Sequence, residues 1–429
     1  MNARIVSTLV RGLAVCSALC GTAAGAAVSA DEARIVAAAD QGLSSAIDLL
    51  AETVNVPSAT ENLDGVRKAG AIYARELKKL GFETRWVELP AEMKRAGHLV
   101  AERHGSRGKR ILLIGHVDTV LQAESFRRDG SQAFGSGVSD MKGGNLVIVA
   151  ALRALHATGQ LDGTTITVIL TGDEEDPGFP NDVTRRPLVE AAAQSDVALA
   201  FEGATPDLGV IGRRGVGTWH LKVTGRQAHS SGIFREGTGY GAIFEAARIL
   251  ERFRAELPEP NLTFNPSIVV GGTDVTYDVE AKSGTALGKT NVIPRSVEVE
   301  GDIRFLTRAQ YDSAIEKMRR MVAQHLPGSD AQLTAQFEYP AMAPTDANRK
   351  VLETLDAVSR DLGATPVHAQ DPAERGAGDI SFICESDIAC LDGLGAVGDN
   401  EHAPGEVIDL DALPLQIKRA ALLIRRLTR

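Results

Sequence analysis

Apolar residues recur at helical spacing through Ala46–Leu50 and again through Ala69–Leu80, which predicts two helices within Asp31–Leu80. Phe82–Leu89, Leu99–Arg103 and Ile111–Gly115 have strand length and composition, with glycine-containing turns between them. Gly135–Gly144 is dense in glycine and leads into a helical pattern over Asn145–His156. Thr164–Leu170 then predicts a buried strand, Arg186–Gln194 a helix and Val197–Glu202 another strand. Strand and helix in alternation predict an α/β fold, a sheet with helices on both faces.

The pattern changes at Gly215. Val216–Gly225 sets Trp219, Leu221 and Val223 against His220, Lys222 and Thr224, the alternation of a half-exposed antiparallel strand. A helix (Tyr240–Leu257), two or three strands (Asn261–Gly271, Gly288–Pro294, Val297–Phe305), a helix (Ala309–His325) and a strand (Gln332–Tyr339) are expected next. Ala347–Leu362 and Leu413–Leu427 read as closing helices, the last with Pro414 in its first turn, where a missing N–H costs nothing. The expected layout is one α/β domain made of residues 31–214 and 340–429, interrupted by an α+β module at 215–339. At 429 residues the chain is too long for one simple core.

Charge and composition narrow the partners. An aromatic share of 4% argues against a platform for stacking bases or sugars, and a net charge of −10 without a Lys/Arg cluster argues against nucleic acid. At the N-terminus, Arg4 and Arg11 precede an uncharged Ala-rich run, Leu13–Ala27, and the small residues Val28-Ser29-Ala30. Residues 1–30 are therefore expected to be a signal peptide, giving a periplasmic or secreted protein that starts at Asp31 and has no membrane partner once the signal is removed. A buried N-terminal helix is the alternative. A lipoprotein signal needs a small residue before cysteine, where this chain has Val15 and Leu19. Cys384 and Cys390 remain, either as a disulfide or as two buried thiols.

Two strands end in chemistry. Ile111–Val120 (ILLIGHVDTV) delivers His116 and Asp118, two residues apart and so facing the same way. Thr164–Asp176 (TTITVILTGDEED) runs into four consecutive acids. Alone, such a run is a solvated loop and a strand-end histidine is structural. Together, at the carboxyl edge of one sheet, they point to a metal site. Asp118 suits a carboxylate that holds the His116 tautomer. Asp140 lies between glycines in SGVSDMKGG, Glu175 and Glu202 follow strands, and His402 sits in a late polar loop.

HVDTV, SDMKGG, GDEED, AFEGA, GRQAHSS, NVIP, DIRF, GAGD and EHAPGE, in this order, resemble the co-catalytic dizinc exopeptidase family, which includes glutamate carboxypeptidase, aminoacylase, succinyl-diaminopimelate desuccinylase and peptidase T. The resemblance runs from about Asp31 to the C-terminus. It implies that Asp140 bridges two Zn2+ ions (Co2+ or Mn2+ being alternatives), with His116 and Glu202 on one and Glu175 and His402 on the other. It makes Glu174 the general base for a metal-bridged hydroxide, with Asp118 and His229 as further catalytic residues. Two dications, three carboxylates and one hydroxide also sum to zero charge. The resemblance further implies a cis Asp140–Met141 bond, a homodimer formed through a lid at 215–339, and substrate contacts from Asn291, Arg304, Gly376 and Gly378.

The expected activity is hydrolysis of the amide bond of a peptide or N-acyl amino acid, carboxypeptidase-like. The alternatives are an aminopeptidase or deacylase on the same site, or a catalytically silent binding homologue. Phe337–Pro344 lacks the basic residues of glutamate carboxypeptidases, and Gly212-Arg213-Arg214-Gly215 looks like the desuccinylase and aminoacylase side of the family.

Overall fold

The computed structural model describes residues 28–121, 124–386 and 388–429. Residues 1–27, which hold most of the expected signal peptide, lie outside the described residues. Among the described residues no helix is long and apolar enough to cross a membrane.

The central sheet has six strands in the order Glu83–Val87, His98–Arg103, Thr164–Thr171, Arg107–His116, Val197–Ala200, Ala389–Leu391. The last four run parallel, and the first two join them antiparallel. Parallel strands are covered on both faces, so their buried stretches, such as Ile111–Ile114 and Val168–Leu170, are apolar without alternation. Ile111 and Leu113 point into one core, shared with helices Ala30–Val54, Gly144–Ala157 and Leu413–Leu427. Leu112 and Ile114 point into a second, smaller core with Leu188, Ile380 and Ile383. The expected α/β class, a mixed sheet flanked by helices, is what the structure shows.

A second sheet is fully antiparallel, in the order Thr263–Gly272, Ser296–Phe305, Gly215–Gly225, Ser329–Tyr339. With helices Gly241–Glu256 and Arg308–Val322 it makes a β-α-β-β-α-β unit, the ferredoxin-like motif. Its core sits on one face only. Trp219, Leu221 and Val223 pack there on Ile249, Phe253 and Met318, as the strand's alternation requires.

The structure corrects one expected strand. Gly288–Pro294 is a loop whose Val292 makes only an isolated bridge to His229. The Lys289 carbonyl accepts from Val292 N at 3.1 Å, a turn, and Pro294 has no N–H for a ladder. The extra pairing lies just before it, where Asp274–Asp278 and Ser283–Leu287 form a hairpin. Cys384 and Cys390 form a disulfide with Cα atoms 6.3 Å apart, which closes that alternative.

Candidate metal centre

His116 ends the central parallel strand, beside Thr171 of the next. The chain beyond it is held from several sides. The Asn145 amide donates to the His116 carbonyl at 2.6 Å, and Val117 N donates to Thr171 O at 2.7 Å. Asp118, fully buried, accepts from Glu174 N and Glu175 N at 3.1 Å each and from the Thr60 hydroxyl at 2.8 Å. One carboxylate therefore binds the first strand end to the acidic loop of the second. His116 Nδ1 faces the Asp118 carbonyl at 3.0 Å and its carboxylate at 3.4 Å, which leaves Nε2 turned to the site.

Asp140 arrives from the turn Val138–Gly143. Gly137 enters that turn at φ 73°, and a Cβ there would meet Thr119 Cγ2 at 2.3 Å, so glycine is required. The Asp140–Met141 peptide is cis. His116 Nε2 lies 3.0 Å from Asp140 Oδ1 and 3.8 Å from Glu202 Oε1. His402 Nε2 lies 2.9 Å from Asp140 Oδ2 and 3.1 Å from Glu175 Oε2. The donor atoms form two groups, His116–Asp140–Glu202 and Asp140–Glu175–His402, each within 4.8 Å and joined by Asp140.

Burial, reinforced by its carboxylate neighbours, pushes Glu202 up to about 8 and raises Glu175. Burial also raises Asp140, but hydrogen bonds from His116 and His402 overcome it and hold that carboxyl low. His402 is pushed up to about 11 by Asp140 and Glu175. Desolvation opposes protonation of His116, yet Asp118 and Asp140 raise it well above its usual value. Three carboxyl groups and two imidazoles thus crowd one site, and each shifts the protonation of its neighbours. Glu175 Oε1 is buried with no hydrogen-bond partner. A buried, orphaned carboxylate oxygen in a mixed N/O donor set fits a divalent cation such as zinc.

Glu174 belongs to neither group. Burial first, then Glu202, Asp379 and Glu175, raise its carboxyl well above the ordinary glutamate value, against the pull of His116. Beneath it, the buried Arg185 guanidinium pairs with Asp173 and Asp379 at 2.6 Å each and donates to the Asp173 carbonyl at 2.9 Å.

The other expected site residues lie outside both groups. His229 and Asn291 are exposed neighbours, with Ser230 N donating to the Asn291 carbonyl at 2.9 Å. His229 Nδ1 faces Ser231 Oγ at 2.9 Å. Arg304 is 37% exposed and bonded to Asp302 at 3.0 Å. Gly376 is exposed with open space where a Cβ would stand, whereas at Gly378 a Cβ would sit 3.4 Å from the Arg213 guanidinium. Sequence reading missed Arg185, Asn145, Thr60 and Glu406. Glu406 alone carried a signal, as the last residue of EHAPGE.

Residues 112–426 match the model of Peptidase family M20/M25/M40. Carboxypeptidase G2 of Pseudomonas sp. (strain RS-16) is 29% identical over 388 residues, 88% of this chain and 88% of that protein. Succinyl-diaminopimelate desuccinylase of Acidiphilium cryptum (strain JF-5) is 30% identical over 382 residues, 86% of this chain and 94% of that protein. The crystal structure of aminopeptidase PepT from Bacillus cereus ATCC 10987 shares the fold, with a TM-score of 0.73 at 19% identity over 90% of this chain and 99% of that one.

Proposed function

The chain belongs to peptidase family M20/M25/M40, a family of metal-dependent, typically dinuclear hydrolases, and on that premise we propose that it cleaves the amide bond of a peptide or N-acyl amino acid at a two-zinc centre. The observation that carries the reading is the shared ligand: Asp140 belongs to both donor groups, with Glu174 beside them and in neither. Asp140 would hold both ions, His116 and Glu202 one, and Glu175 and His402 the other. When bound, such ions polarise a carbonyl and acidify water.

The chain's own groups supply the rest. Glu174 takes a proton from the attacking water and passes it to the leaving nitrogen, a role its place beside both donor groups, and in neither, suits. Asp118 fixes both the His116 ring and the peptide N–H groups of Glu174 and Glu175, so base and ligands are set before substrate arrives. Arg304 and Asn291 on the 215–339 lid, with the Gly376–Gly378 backbone, would fix a free substrate carboxylate, and His229 would support the oxyanion from a partner subunit.

Exposed Phe234, Ile243, Phe244 and Val269 support pairing of two lids along helix Gly241–Glu256 and the edge strand Thr263–Gly272. Phe244→Glu should shift the sedimentation mass to the monomer. The buried disulfide and the charge pattern of residues 1–30 support a periplasmic or secreted location.

The test is a screen of N-acyl amino acids, dipeptides and amino-acid amides with added zinc, with and without chelator. Chelator-sensitive release of a free C-terminal amino acid supports the reading. Turnover of substrates bearing a free amine and a blocked carboxylate would support the aminopeptidase instead. No metal uptake and no hydrolysis would leave only a binding homologue.

A further inference from the structure

The turn that carries Asp140 has no regular partner of its own, and the structure shows what holds it. The Glu406 carboxylate, 4% exposed, accepts from Gly137 N at 2.6 Å and from Ser139 N and Asp140 N at 2.8 Å each. Three backbone donors of one short turn therefore converge on a single side chain from the far end of the chain. A backbone N–H left buried without an acceptor is costly, so the turn and the carboxylate hold one another.

Glu406 also sits four residues beyond His402. Its neighbours Val407–Asp409 pair antiparallel with Gln132–Phe134, just before the Asp140 turn, and Gly135 N donates to the Glu406 carbonyl at 3.3 Å. One residue thus joins the segment carrying Asp140 to the loop carrying His402, two donors that stand 2.9 Å apart.

We propose that Glu406 is the positioning residue of the dinuclear centre, holding Asp140 at the point where one carboxylate reaches both ions. The proposal rests on the two-metal reading above. Glu406 belongs to neither donor group. Its role is to set the distance between Asp140 and its partners on either side, His116 and His402. The neighbouring Glu401, whose carboxylate reaches only the Ser139 hydroxyl at 3.2 Å from an exposed position, has no such part.

The test is metal affinity of the full chain, by competition with a chromophoric chelator, for wild type, Glu406→Gln, Glu406→Asp and Glu401→Gln. Gln keeps the shape but puts an amide N–H where a backbone N–H must be accepted. Asp keeps the charge but withdraws both oxygens by a methylene. Both should bind zinc about 10–100-fold more weakly, and the cobalt-substituted forms should show a displaced visible absorption band. Glu401→Gln should match wild type in affinity. Circular dichroism of the metal-free proteins separates lost folding from lost positioning. If Glu406→Gln fails to fold, the Asp variant decides. Wild-type affinity and cobalt spectrum in a folded Gln or Asp variant overturn the proposal. A wild type that takes up fewer than two ions overturns the two-metal reading itself.

Discussion

The centre at the sheet edge and the inserted module that carries His229, Asn291 and Arg304 are built on opposite plans. Much of the centre is held by side chains that belong to neither donor group: His116 by Asp118, Asp140 by Glu406, and the Glu174–Glu175 backbone by Asp118 again, whereas His402 is exposed and meets Asp140 and Glu175 themselves. His229, Asn291 and Arg304 are exposed or half-exposed, and the side chains of His229 and Arg304 meet Ser231 and Asp302, each two residues away. The physical lesson is about timing. Groups that must meet a cation before catalysis are fixed in advance, because assembling like charges during a turnover is expensive. Groups that meet the substrate can wait for closure to place them.

Glu174→Gln should separate the two plans most sharply. It removes proton transfer and leaves both donor groups intact, so kcat should fall by about 10²–10⁴-fold while two ions remain bound. Loss of the ions along with activity would mean that Glu174 is a ligand.

Arg304→Ala probes the lid. Wild type should prefer an N-acyl amino acid over its C-terminal amide, and the variant should lose about 10–100-fold of that preference, the worth of a charged hydrogen bond. If both proteins treat acid and amide alike, Arg304 only pairs with Asp302.

Acid should weaken the centre and spare the lid's own fold. Without an ion, His402 and His116 hold protons well above their ordinary pKa, and metal uptake must expel them. Affinity should therefore fall as pH falls, by roughly tenfold per unit for each proton released. Titration calorimetry in buffers of different ionisation heat reads the proton count directly, and zero release contradicts the account.

The smallest effect concerns support behind the centre. Replacing Cys384 and Cys390 together by Ser opens a short loop next to Asp379, the partner of Arg185. Stability should drop by about 2 kcal/mol, read from denaturant midpoints, with metal stoichiometry unchanged.

Three of the four parallel strands were legible because burial on both faces leaves an unbroken apolar stretch, whereas the three-residue strand Ala389–Leu391 is too short to show one. Val216–Gly225 was legible for the contrary reason, its clean alternation. His116, Glu175 and Glu202 could be read because each follows an apolar strand, whereas Asp140 and His402, in a glycine-flanked turn and a polar loop, were legible through the family resemblance. Gly288–Pro294 misled because β-branched Thr290, Val292 and Ile293 have strand composition whether or not a neighbour accepts their ladder. The hairpin at Asp274–Leu287 was hidden, since its strand residues are half or fully exposed and lack a hydrophobic stripe. Arg185, Asn145 and Glu406 were hidden too. Their work is done through hydrogen bonds to distant backbone and carboxylates, which leave no periodic mark.

The central claim is that one carboxylate serves two ions. Anomalous diffraction at the zinc edge from crystals of the metal-loaded protein tests it most directly. The account predicts two peaks about 3.5–4 Å apart, with Asp140 bonded to both, His116 and Glu202 to one, and Glu175 and His402 to the other. A single peak, or two peaks that do not share Asp140, would contradict it.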